Sequence, residues 1–163
     1  MTTAAQLLAA ELGKLLIVRN QRVSTAESCT GGLIAAALTD IPGSSEWFDA
    51  GFVTYSNEAK AKMLGVPFRL IAEQGAVSSA VVEAMAAGAR VAAHADWAVA
   101  VSGVAGPGGG SPDKPVGMVW FGWAGPNGVA SEVLHLNGDR ATVRSQSVQH
   151  ALQGLIHRME AAE

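Results

Sequence analysis

A chain of 163 residues with 49% apolar and only 15% charged residues has the content of one compact folded domain and not of a disordered chain. Its net charge of −3 is spread without any block of Lys or Arg, so neither nucleic acid nor an anionic membrane surface is an expected partner. A single cysteine excludes an internal disulfide and fits a reducing, cytoplasmic setting, and neither a targeting segment nor an apolar run of ~20 residues is visible.

Residues 4–19 place Leu7, Leu8, Leu12, Leu15, Leu16 and Val18 at helical spacing, with Gln6, Glu11 and Lys14 left for the wet side. Val23–Glu27 reads as a strand and 33–39 as a helix, followed by a turn at Pro42-Gly43-Ser44. Asp49–Ser56 is β-branched and aromatic enough for a second strand. Asn57 is expected to cap a short helix through Leu64, with Gly65 as its stop. A loop is expected from Pro67 to Val77. Ser78 or Ser79 then caps a long Ala-rich helix to about His94, buried through Val81, Val82, Met85, Ala89 and Val91. Trp97–Ser102 reads as a central buried strand, and 103–115 as a Gly- and Pro-rich loop. Residues 116–124 and 129–136 are strands joined by Gly125-Pro126-Asn127-Gly128, a hairpin signal. Asp139 opens a last helix to about Glu160, with Val143, Val148, Leu152, Leu155, Ile156 and Met159 inward. Helices interleaved with strands, and a late hairpin, predict a single three-layer α/β domain over residues 1–163 with a mixed sheet.

Several groups of residues carry chemistry. Ser28-Cys29-Thr30-Gly31-Gly32 falls between a strand and a helix. The first amides of a helix lack intrahelical partners and favour an anion or a developing oxyanion. Ser28, Cys29 and Thr30 are each candidate nucleophiles, and an N-cap with a tight glycine turn explains the same residues. Tyr55 ends a strand and Lys60 lies one turn into the next helix. Lys60 could be a general base if burial lowers its pKa, or a solvated lysine. Arg140 and Arg144, one turn apart, could grip a phosphate together or form an exposed basic pair. The loop after Ser102 is neither a Walker phosphate loop nor a dinucleotide fingerprint, since Ser111 stands where a third glycine is required. Ser111 and Lys114 match a Ser-x-x-Lys motif, but Pro112 and Pro115 bar a helix interior there. His94, His135, His150 and His157 do not cluster at metal-ligand spacing, and neither a metal nor a cofactor is expected. The Ala-rich helix and four tryptophans leave room for a homo-oligomer.

Four segments together carry a resemblance: Ala26 to Gly32 (Ala-Glu-Ser-Cys-Thr-Gly-Gly), Val53 to Lys60, Ser102 to Gly117, and Gly138-Asp139-Arg140. In this order they resemble the CinA C-terminal-domain family, the nicotinamide-nucleotide amidohydrolases (NMN deamidases). The resemblance implies an α/β/α sandwich that hydrolyses the carboxamide of nicotinamide mononucleotide to nicotinate mononucleotide and ammonia, in pyridine-nucleotide salvage and without metal. By position it implies Ser28 as nucleophile, Lys60 as base and Tyr55 as assisting hydroxyl. It assigns the oxyanion to amides of Thr30, Gly31 and Gly32. Ser102, Gly103, Ala105 and Gly106 would line the nicotinamide and ribose, and Arg140 would bind the phosphate. Cys29 becomes a small packing residue. In some relatives the domain follows a second, nucleotide-processing domain, whereas here it is expected alone. Ser102 stands where many members carry Thr, and Gly108 where Asp is common. The change at Gly108 motivates a rival reading, a non-catalytic nucleotide-binding module, and an amidase for another small carboxamide is a third.

Overall fold

The computed structural model describes residues 2–162. Helix α1 (Ala4–Arg19) leads into strand β1 (Val23–Glu27), helix α2 (Leu33–Thr39), a 3-10 turn (Ser44–Glu46) and strand β2 (Phe48–Val53). Helices α3 (Asn57–Leu64), α4 (Phe68–Gln74) and α5 (Ser79–Ala92) follow. Strand β3 (Trp97–Gly103), the hairpin of β4 (Met118–Gly125) and β5 (Gly128–His135), and helix α6 (Arg140–Ala161) complete the chain. The sheet runs β2-β1-β3-β4-β5. The first three strands are mutually parallel, and β4 is antiparallel to both its neighbours. This is the expected mixed-sheet sandwich.

Strand β3 shows how the two faces differ. Trp97, Val99 and Val101 point into one core, which α1, α2 and α6 cover with Leu12, Leu16, Leu38, Leu152 and Leu155. Ala98 and Ala100 point the other way, toward Val81, Val82, Met85 and Ala89 of α5. A period-2 strand thus presents bulk to one layer and small side chains to the other, and the Ala-rich α5 packs closely on β1, β3 and β4.

The structure corrects the expectation at four points. The stretch from Pro67 is not all loop, because Pro67 (φ −61) caps the two-turn helix α4, which buries Ile71. Seven residues are too few to show a helical period. Ser56, not Asn57, caps α3: it is extended (φ −86, ψ 161), and its hydroxyl accepts the Ala59 amide at 3.0 Å. Strand β2 ends at Val53, so Tyr55 lies beyond it. Val91, Leu7 and Val18 face solvent, because α1 and α5 each have one covered side and these residues fall on the other.

Candidate active site

Strand β1 connects to β2 on one side of it, while β3 lies on its other side. In open α/β sheets such a switch opens a crevice beyond the carboxyl ends of the two central strands. Ser28 sits at that point, and its amide donates to the Val101 carbonyl at 3.0 Å, prolonging the β1–β3 ladder by one residue.

The turn that follows is built differently from the expectation of a Ser or Thr cap. Gly31 (φ 57) and Gly32 (φ 107) are left-handed, and Gly32 is the N-cap of α2 with no side chain to offer. The capping acceptor comes instead from Glu27, fully buried at the end of β1. Its two carboxylate oxygens accept the amides of Ile34 (2.9 Å) and Ala35 (3.0 Å). The positive end of α2 is therefore occupied by the protein's own anion. The Gly31 amide donates to the Ser28 carbonyl at 3.1 Å. The Thr30 and Gly32 amides have no acceptor among the described residues.

Lys60 reaches this turn from α3. It is 1% exposed, and its Nζ lies 3.0 Å from Ser28 Oγ, 2.9 Å from the Thr54 carbonyl and 3.1 Å from the Tyr55 carbonyl. Carbonyls can only accept. A neutral amine would give its two hydrogens to them and turn its lone pair to the Ser28 hydroxyl. Burial pushes the Lys60 pKa below the usual lysine value. The depth of Lys60 depends on α3 lying close to α5. A Cβ on Gly88 would fall 2.0 Å from the carbonyl oxygen of Leu64, one turn after Lys60.

Ser28, Cys29, Tyr55, Asn57, Lys60, Ala76, Val77, Ser102, Gly103, Ala105 and Arg140 line a cavity of about 200 Å³. Larger hollows beside Trp123 and along α3 lack this combination of nucleophile and base. Of the expected site residues, Ser28, Tyr55, Lys60, Ser102, Gly103, Ala105 and Arg140 come together in the cavity wall. Thr30, Gly31, Gly32 and Gly106 stand outside it. Tyr55 contributes its carbonyl to Lys60, while the residue as a whole is 63% exposed. Burial raises the Cys29 thiol to about 11, despite the nearby amides of Cys29 and Gly103, so it is a neutral packing group. The two arginines part company. Arg140 donates to the Gly106 carbonyl at 2.7 Å from the cavity wall. Arg144 turns to the carbonyls of Cys29 (3.0 Å) and Thr30 (3.4 Å), so the two do not grip one ligand. Sequence reasoning read Asn57 only as a helix cap, although it lies in the Val53 to Lys60 segment, and missed Ala76 and Val77, which carry no motif. It also missed Glu27, a carboxylate at the end of a wholly buried strand and just before a helix, which was the available signal.

Residues 5–159 match the family described as the CinA C-terminal domain. The chain is 58% identical over 149 residues to the nicotinamide-nucleotide amidohydrolase PncC of Pseudomonas putida, covering 91% of this chain and 93% of that one. It is 54% identical to the protein of the same name from Escherichia coli K12, covering 91% and 90%. The solved structure of competence/damage inducible protein CihA from Agrobacterium tumefaciens superposes with a TM-score of 0.93 at 45% identity, covering 96% of each chain.

Proposed function

Since this chain belongs to the CinA C-terminal domain family, we propose that it hydrolyses the carboxamide of nicotinamide mononucleotide, releasing ammonia and nicotinate mononucleotide. The observation that carries this reading is the 3.0 Å contact between Ser28 Oγ and the buried Lys60 Nζ. In the first step Ser28 Oγ attacks the carboxamide carbon as its proton passes to Lys60 Nζ. The tetrahedral oxyanion meets main-chain amides of the turn after Ser28. With the Gly31 amide held by Ser28, those of Thr30 and Gly32 remain from the expected set, and Thr30 directly follows the cavity-lining Cys29. Lys60 returns the proton to the leaving nitrogen as the C–N bond breaks, and ammonia departs. Water then attacks the nicotinoyl ester on Ser28, again giving a proton to Lys60, which passes it to Ser28 Oγ as the ester C–O bond breaks, and the acid product leaves as its carboxylate with its remaining proton lost to water. No other co-reactant is needed for this balance.

Ser102, Gly103 and Ala105 would flank the nicotinamide and ribose, and Arg140 the phosphate. Beyond its bond to Gly106, the other donors of Arg140 have no protein partner among the described residues. The exposed ring of Tyr55 would close over the nicotinamide, with its hydroxyl assisting proton transfer. The product would feed pyridine-nucleotide salvage. The reading is tested by following ammonia with nicotinamide mononucleotide, nicotinamide riboside and free nicotinamide, without added metal. Preference for the mononucleotide supports it. Binding of the mononucleotide with no ammonia would favour a non-catalytic module, and preference for an unrelated carboxamide would favour a different amidase.

A further inference from the structure

The geometry points to Arg144 as a positioning residue that holds the nucleophile turn in its reactive shape; this rests on the serine reading above. Arg144 rises from the first turns of α6 and is partly buried. Its Nε donates to the carbonyl of Cys29 at 3.0 Å and its Nη2 to that of Thr30 at 3.4 Å. These are the two peptide carbonyls that follow the one of the nucleophile itself. The carbonyl of Ser28 is held separately, by the amide of Gly31. Three successive peptide planes are thus pinned through their oxygens.

A peptide unit is planar, and in the trans form its N–H points opposite to its C=O. Fixing the Cys29 and Thr30 carbonyls against α6 therefore fixes the Thr30 and Gly31 amides on the other side, and pinning Ser28's carbonyl does the same for Cys29. The turn has no stiffness of its own to do this, because its last two residues are left-handed glycines. Helix α2 shares in holding Thr30, because its Leu33 amide donates to the Thr30 carbonyl at 3.0 Å, so among the described residues the Cys29 carbonyl is the one that Arg144 alone holds. A planar fork with two donors suits two adjacent carbonyls; a lysine ammonium offers a single point of contact. Arg144 is also one turn from Arg140 yet absent from the cavity wall, which separates it from the phosphate role.

The experiment compares Arg144→Gln and Arg144→Lys with the wild type. It uses steady-state kinetics on whichever carboxamide the wild type turns over, together with amide hydrogen exchange across residues 28–33. We expect Arg144→Gln to lower kcat about 10- to 100-fold, somewhat less than loss of an oxyanion donor itself, with KM within about twofold. Arg144→Lys should recover part of kcat. Exchange at Gly31, whose amide the Ser28 carbonyl holds, should rise at least about tenfold in Arg144→Gln, while amides of β3 and α5 stay protected. A rise in KM with kcat unchanged would make Arg144 a ligand-binding residue and overturn the inference. So would unaltered exchange in the turn, or loss of protection throughout the fold. If no carboxamide is turned over, the amidohydrolase reading fails, while the exchange measurement still decides whether Arg144 orders the turn.

Discussion

Lys60 Nζ sits 3.0 Å from Ser28 Oγ with two main-chain carbonyls, those of Thr54 and Tyr55, as its other neighbours. Among the described residues no carboxylate is bonded to the amine, and burial favours its neutral form. A lysine in this setting is suited to take a proton rather than to hold an anion.

The pH dependence of activity follows from that. With Lys60 as base, kcat/KM climbs as the amine loses its proton, and the midpoint of this limb lies below the ordinary lysine value of 10.5. Lys60→Ala should cost about 10²- to 10⁴-fold in kcat and abolish the limb. Lys60→Arg should fail as badly, because a guanidinium is not deprotonated in a protein. A pH–rate profile of the three proteins checks this; an unchanged limb in Lys60→Ala would assign it to another group.

Stability should carry the same signature. The folded pKa of Lys60 is lowered, so the unfolded chain binds the proton more tightly. The penalty is in full force below the folded pKa and fades as pH rises toward 10.5. Denaturant melts of wild type and Lys60→Met should therefore converge or cross in favour of the wild type at high pH, relative to their difference at neutral pH. A pH-independent difference speaks against a depressed lysine.

Glu27 is predicted to be structural with a catalytic consequence. Glu27→Gln keeps the shape but sets an amide NH2 against one of the two α2 amides. This should cost about 1–3 kcal/mol by leaving a buried donor unpaired. Urea denaturation measures the loss, and a variant as stable as the wild type would show that the cap matters little.

The close approach of α3 to α5 makes Gly88 a remote determinant of the site. In Gly88→Ala the added carbon meets the Leu64 carbonyl, so α3 must shift and carry Lys60 with it. The expected result is a lower melting temperature together with a kcat reduced tenfold or more, as small misplacements of a catalytic group can cause. Normal activity would mean that α3 moves without disturbing Lys60.

Much of the fold was legible because local signals agreed. The bounds of β1 and α2, the Asp139 cap of α6 and the Pro126-Asn127 turn were all read from propensity and turn chemistry. What stayed hidden depended on partners far away in the chain. Asn57 and Ser56 are both good caps, and only the extended backbone at Ser56 decides between them. Lys60 reads equally as a solvated helix residue until the Thr54 and Tyr55 carbonyls receive its amine, with Gly88 letting α5 come close to α3 at Leu64. The motif segments bring Ser28, Lys60 and Arg140 to one cavity. Nothing in the spacing of Arg140 and Arg144 tells that the second turns away to the Cys29 and Thr30 carbonyls.

The most direct measurement is ammonia release from nicotinamide mononucleotide by the wild type and by Ser28→Ala, each checked for folding by its thermal transition. A hydroxyl that forms the acyl-enzyme cannot be spared, so the variant should fall by at least about 10³-fold while melting within a few degrees of the wild type. A folded Ser28→Ala protein that releases ammonia at the wild-type rate would contradict the account.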